Sequence, residues 1–254
     1  MPLARGCGFD LDRPETLALK DADALLHCAP PPGSGNADTR TANLLAALEK
    51  GRILPARVVY VSTSGVYGDC GGARVEETRP LAPATPRARR RVDAEQQLGR
   101  FCGSRGAALI VLRAPGIYGA DRLPLARLRA GTPVLRAEDD VYTNHIHADD
   151  LASIVCRALE DDAPAGIYNA SDDTEMKMGD WFDLVADVHG LPRPRRVSRR
   201  EAERVLSPEL LSFMKESRRL DNGRLKRELG VRLRYPTVHE GLRNDYAVGI
   251  DQSA

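Results

Sequence analysis

Residues 58–69, VVYVSTSGVYGD, decide the fold. Four consecutive apolar residues, Val58–Val61, run into Ser62, Thr63 and Ser64 and stop at Gly65. A short continuous apolar run bounded by turn residues reads as a strand buried on both faces of a parallel sheet. Working outward, the same signature recurs at Leu109–Leu112 in ALIVLRAPG (108–116). It recurs again at Ala24–Cys28 in DADALLHCAPPP (21–32), where the prolines forbid continuation. Between these runs lie helical patterns. DTRTANLLAALEK (38–50) puts Leu44, Leu45 and Leu48 on one face, with Gly51 expected as the C-terminal stop. RARRRVDAEQQLGRF (87–101) spaces Val92, Leu98 and Phe101 among charges. Strand–helix–strand alternation predicts a doubly wound α/β domain with a parallel sheet.

The pattern changes after residue 119. HADDLASIVCRALE (147–160) is amphipathic and GIYNAS (166–171) reads as one more short strand. The remainder predicts helices over Asp180–His189 (stopped by Gly190), from Ser207-Pro208 as cap and first residue, and over Asp221–Leu229 before Gly230. The expected division is a domain over 1–170, with 120–145 contributing to a lobe, and a small, mainly helical lobe over 171–254.

Composition narrows the function classes. The 254 residues carry 37 basic against 36 acidic side chains, a net charge of +1, so neither nucleic acid nor an anionic membrane is expected as a partner. Five scattered cysteines with no C-x-x-C read as reduced thiols rather than a disulfide framework or zinc site. No apolar run is long enough to cross a bilayer, and MPLARGCGFDLDRPE (1–15) lacks the apolar core of a signal peptide. The expectation is a cytoplasmic protein acting on a small molecule.

VVYVSTSGVYGD resembles the segment after a central strand in the extended short-chain dehydrogenase/reductases, the NAD-dependent epimerase/dehydratase group. There a Ser or Thr stands just past the strand end, ahead of V-Y-G, and Thr63 fills that place. DADALLHCAPPP, LRAPGIYG (112–119), NHIHADDLASIVCRALE (144–160), GIYNASDD (166–173) and RLKRELGVRLRYPTVHEGL (224–242) resemble the family's other blocks, in its order. The resemblance implies a Rossmann-type sheet binding NAD or NADP, with Thr63 facing substrate or nicotinamide in a catalytic role. It implies a cofactor bed formed by Ala29, Pro30, Pro31, Thr63, Arg91 and Pro115.

Two departures qualify this. The family opens with a strand, G-x-x-G-x-x-G and a helix whose amides hold the pyrophosphate. Here the chain begins in what resembles the loop before the third or fourth strand, so truncation by a missed upstream start is expected. The sheet would then lack its first strands and glycine loop. Gly65, Gly68 and Gly71 match the glycine spacing, but GARVEETRPLAP (72–83) opens no helix, so they are read as a decoy. The family's proton relay is Tyr-x-x-x-Lys, and none of the seven tyrosines (60, 67, 118, 142, 168, 235, 246) has Lys four residues on. No lysine occurs between Lys50 and Lys177. Registering 86–98 on the family's helix puts Arg87 at the Tyr position and Arg91 at the Lys position. Arg91 can still hydrogen-bond a ribose, whereas the guanidinium of Arg87 only donates.

Other groups carry plainer expectations. Tyr67 and Tyr118 read as packing residues, with a substitute acid as the rival role. His145 and His147 face the same way on a strand, and His147 reads as structural at the junction with the next helix. No convergent metal ligands are found. The arginines at 87–91, 193–200 and 218–219 read as solvated faces. An unpaired apolar edge along Ala24–Cys28 predicts a place for homodimer formation or aggregation. Two functional readings stand: an atypical NAD(P)-dependent oxidoreductase or epimerase-like enzyme, and a catalytically silent relative that senses a dinucleotide or serves as a scaffold.

Overall fold

The computed structural model describes residues 10–13 and 22–243. Most of residues 1–15, Lys20 and Tyr246 lie outside them. Four strands build the central sheet: β1 (Ala24–His27), β2 (Arg57–Thr63), β3 (Ala108–Ala114) and β4 (Gly166–Asn169). They lie in the order β1-β2-β3-β4 and every pair is parallel, so their C-terminal ends share one edge. The register pairs Leu25 with Val58 and Val58 with Leu109.

Period-two alternation divides the core into two layers. Val58, Tyr60 and Val111 pack with Leu44, Leu45 and Leu48 of helix α1 (Thr39–Gly51) and Ala94, Leu98 and Phe101 of helix α2 (Pro86–Gly103). Val59, Ile110 and Leu112 face the other way, onto Leu151 and Ile154 of helix α3 (Ala148–Ala158) and Leu225 of the helix Gly223–Glu228. On that face Leu26 of β1 is 41% exposed. Arg57 ties the start of β2 to the turn after α3, donating to the carbonyls of Ala163 at 2.8 Å and Asp161 at 2.6 Å.

The helix ends follow local chemistry. Asp38 caps α1, accepting from the amides of Arg40 and Thr41. Thr85 caps α2, accepting from Ala88, with Pro86 as first residue. One boundary differs from expectation. Gly51 is the last residue of α1, and it is Arg52 that adopts the left-handed conformation (φ 54). The Arg52 amide then closes onto the carbonyls of Leu48 and Glu49.

The lobe carries the expected helices, as Met178–Val188, Pro208–Phe213 and Gly223–Glu228, and adds short strand pairs that the sequence did not suggest. Met176–Lys177 pairs with Tyr142–Thr143, Arg196–Val197 with Val134–Leu135, and Arg219–Leu220 with Arg74–Val75. These two-residue ladders are too short for a periodic pattern to reveal. They stitch residues 134–143 and 74–75 to the later chain. Trp181, Phe182 and Val185 of the helix Met178–Val188 pack with Tyr118, Leu128 and Val134. No helix among the described residues is long and apolar enough to cross a membrane.

Candidate functional site

A cleft of about 470 Å³ opens over the C-terminal ends of the strands, in the size range of small-molecule sites. β2 delivers Thr63, Ser64 and Gly65 to its floor, and the chain after β3 delivers Pro115 and Gly116. The loop after β1 supplies Pro30, Pro31, Pro32 and Gly33. The first turns of α2 bring Arg87, Ala88, Arg90 and Arg91, and the lobe closes the far side with Tyr142, Asn144, Phe213, Glu216 and Arg218.

Five of the six expected bed residues, Pro30, Pro31, Thr63, Arg91 and Pro115, therefore meet on one cavity. Ala29 does not line it, because the wall begins one residue further along the chain. Thr63 caps the one-turn 3-10 helix Ser64–Tyr67, accepting from the Gly65 amide at 3.3 Å. Its own O–H is thus left to donate. Arg91 spends Nη1 on the Val61 carbonyl and the Tyr60 hydroxyl, both at 3.0 Å. Tyr60 in turn packs against His27, whose Nε2 meets Thr41 Oγ1 at 2.9 Å, and Thr41 donates to Asp38. A buried chain thus runs from the cleft arginine to the cap of α1. Burial pushes the Tyr60 phenol up to about 12 and the His27 imidazole down to about 4.

Behind the floor lies a buried ion pair that the sequence reading did not find. Arg113, 2% exposed, donates from Nη2 to Glu95 Oε2 at 2.7 Å and from Nε to Glu95 Oε1 at 3.2 Å. Ser62 donates to Glu95 at 2.6 Å, Arg113 to the Tyr67 hydroxyl at 2.9 Å, and Tyr67 to Asn169 Oδ1 at 2.8 Å. Tyr67 is thereby committed, 1% exposed and off the cleft wall. Tyr118, also off the wall, packs edge-on against His145, His147 and Trp181. The one signal in the sequence was an arginine inside the apolar run LIVLRAP, which only a buried partner explains.

Gly65, Gly68 and Gly71 form no phosphate loop. Gly65 sits in the 3-10 turn, and the short strand Arg74–Val75 follows Gly71. Gly68 is required for another reason: its φ is 66, and a Cβ there would run into the Ala82 carbonyl. His147 caps α3, its Nδ1 accepting from the Asp149 amide at 3.1 Å. His145 is buried beside it, pushed down to about 3 by desolvation. Among the described residues no cluster of three or more metal-ligating side chains forms. The arginine groups divide. Arg193 and Arg195 are exposed and paired with Asp187 and Glu201. Arg90 (7% exposed) and Arg218 are not solvated, because both are drawn into the cleft wall.

The model of the NAD dependent epimerase/dehydratase family matches residues 16–171, more than half of the sequence. The chain belongs to that family. Among solved structures, the epimerase/dehydratase-family chain is similar to a functionally unknown conserved protein from Silicibacter pomeroyi, at 32% identity and a TM-score of 0.77. That match covers 98% of this chain and 82% of the other. RMD from Pseudomonas aeruginosa, complexed with NADPH, matches at 21% identity and a TM-score of 0.71, covering 97% and 89%. The UDP-glucuronic acid 4-epimerase of Bacillus cereus, in complex with NAD, matches at 18% and 0.70, covering 96% and 78%. No curated protein sequence matches the chain. The parallel sheet and its flanking helices are those of this family's Rossmann-type fold.

Proposed function

We propose that the cleft binds NAD or NADP and that the protein is a dinucleotide-dependent oxidoreductase or epimerase/dehydratase-like enzyme acting on a small molecule. The observation that carries this reading is the meeting of Thr63, Arg91 and Pro115 in one cavity at the carboxyl edge of a parallel sheet. Ligands of such sheets sit at that edge. The NAD and NADPH bound by the similar structures support the choice of cofactor.

The residues present fit the nicotinamide and ribose portion. The free N–H groups of Arg91 suit a ribose diol, the Thr63 hydroxyl donates towards the reacting end, and Pro30, Pro31 and Pro115 offer apolar walls to a ring. The bound dinucleotide would supply hydride transfer. The substrate would lie beneath the lobe formed by 120–145 and 171–254. Cytoplasmic action is part of this reading.

A second reading, a catalytically silent dinucleotide-binding relative, is favoured by one observation. Arg87 occupies the place where the resemblance expects the acid, and its guanidinium lies 4.5 Å over the Phe213 ring. A guanidinium gives up no proton at neutral pH. Calorimetric titration with NADH and NADPH tests the common premise. Binding is expected with at least one of them, weakened roughly tenfold in Arg91→Ala by loss of charge-assisted hydrogen bonds. Failure of both nucleotides to bind sinks both readings. Binding without hydride transfer to any of a panel of carbonyl compounds selects the silent one.

A further inference from the structure

The first turns of α2 are built against the helix's own dipole. A helix N-terminus carries partial positive charge and favours Asp or Glu. Yet PRARRR (86–91) sets arginines at 87, 89, 90 and 91, with no acidic residue in the first turn. Arg89 turns back to the Ala84 carbonyl at 3.1 Å. The other three line the cleft.

Arg90 is the telling member. It is 7% exposed, gives Nη1 to the Gly35 carbonyl at 2.6 Å, and keeps a buried Nε with no hydrogen-bond partner. Among the described residues no carboxylate pairs with it. A buried guanidinium without a counter-charge is strongly unfavourable, and here its neighbours carry the same sign. The carboxylate on the cleft wall, Glu216, is taken by Arg218 at 2.9 Å. The arrangement is short of negative charge on the side where a ligand enters.

We propose that the N-terminal end of α2, with Arg90 at its centre and Arg87 and Arg91 beside it, binds a phosphate or pyrophosphate group of the ligand. Several guanidiniums and a helix N-terminus suit phosphate oxygens, which accept in several directions at once. This deepens the dinucleotide reading of the cleft and rests on it for the ligand's identity. The phosphate belongs either to the cofactor or to the substrate.

The test titrates inorganic pyrophosphate into the full chain at low ionic strength, alone and against NADH. Pyrophosphate should bind, and added salt should weaken it. Arg90→Gln should lower affinity roughly tenfold or more. Arg87→Gln, at an exposed position where folding is safe, should lower it by a factor of about 2–5. Competition with NADH assigns the site to the cofactor's pyrophosphate, and binding without competition assigns it to a substrate phosphate. The proposal is overturned if pyrophosphate does not bind, or if both variants bind it as the parent does. Should NADH bind and pyrophosphate not, the dinucleotide reading survives while this site falls. Should pyrophosphate bind and NADH not, the reverse holds.

Discussion

Single side chains in this protein are governed by what burial does to their charge. Asp172 is 4% exposed; one carboxylate oxygen accepts from the Thr174 amide at 2.9 Å and the other has no partner. Desolvation, with Asp173 and Asp150 adding repulsion, pushes its pKa up to about 8 from the ordinary 3.8. Between those values the folded protein keeps a proton that the unfolded chain has released, so stability falls as pH rises through that window. His27 and His145 work in the opposite sense. Held neutral, with values near 4 and 3 against 6.5, they cost stability as pH falls below 6.5. Asp172→Asn should therefore stabilise more at pH 8 than at pH 5, by on the order of a few kcal/mol. Urea unfolding at the two pH values measures this, and an equal effect at both would mean that Asp172 is already ionised in the folded state. None of this was legible in GIYNASDD, where nothing in the residue types says which aspartate is buried. The cleft arginines were half legible. Their register on α2 picked out Arg91, but Arg90 was read as solvated because depth depends on the loop to Gly35, which packs against it.

Among the helices, Pro208–Phe213 stands apart, since none of its residues is buried. Ser207 caps it, and Ser212 and Phe213 reach the cleft. The stack of Arg87 on Phe213 crosses from α2 to this helix, and such an exposed contact is worth about 0.5–1 kcal/mol. Phe213→Ala should raise the open population of the helix by a factor of about 2–5. Trypsin cleavage after the exposed Lys215 should accelerate by the same factor. An unchanged cleavage rate would show that the stack does not hold the helix down. Elements were readable where a periodic pattern was long enough. Val58–Val61 grew into Arg57–Thr63 and Leu109–Leu112 into Ala108–Ala114. The ladders Met176–Lys177 and Arg219–Leu220 were not readable, because two residues show no period and their pairing is set by distant chain. The turn after α1 misled for a different reason. Gly51 offers the easier left-handed residue, yet the bonds from Arg52 to Leu48 and Glu49 fix the turn one position later.

For the molecule as a whole, the parallel strands followed from apolar runs and the turns that end them, and the bed residues that meet in the cleft from the family resemblance. The network behind the cleft did not, because its members lie far apart in sequence. Ser62 and Arg113 lie one residue before the ends of β2 and β3, Glu95 is on α2, Asn169 ends β4, and Tyr67 joins them from the 3-10 turn. Removing Glu95 leaves a buried guanidinium unpaired, so Glu95→Ala should cost about 3–5 kcal/mol. That loss can also be read on a clock. A set of bonds that needs three strands and a helix already docked closes only after the folding barrier has been crossed. Its loss should leave the folding rate nearly unchanged and speed unfolding by a factor of roughly 100 or more. Stopped-flow folding and unfolding rates across a urea series separate the two limbs. A matching slowdown in folding would place the network inside the nucleus instead. If the unfolding limb alone moves, Arg113 and Glu95 govern the lifetime of the folded molecule, and through it the exposure of its sheet to proteases and to other copies of itself.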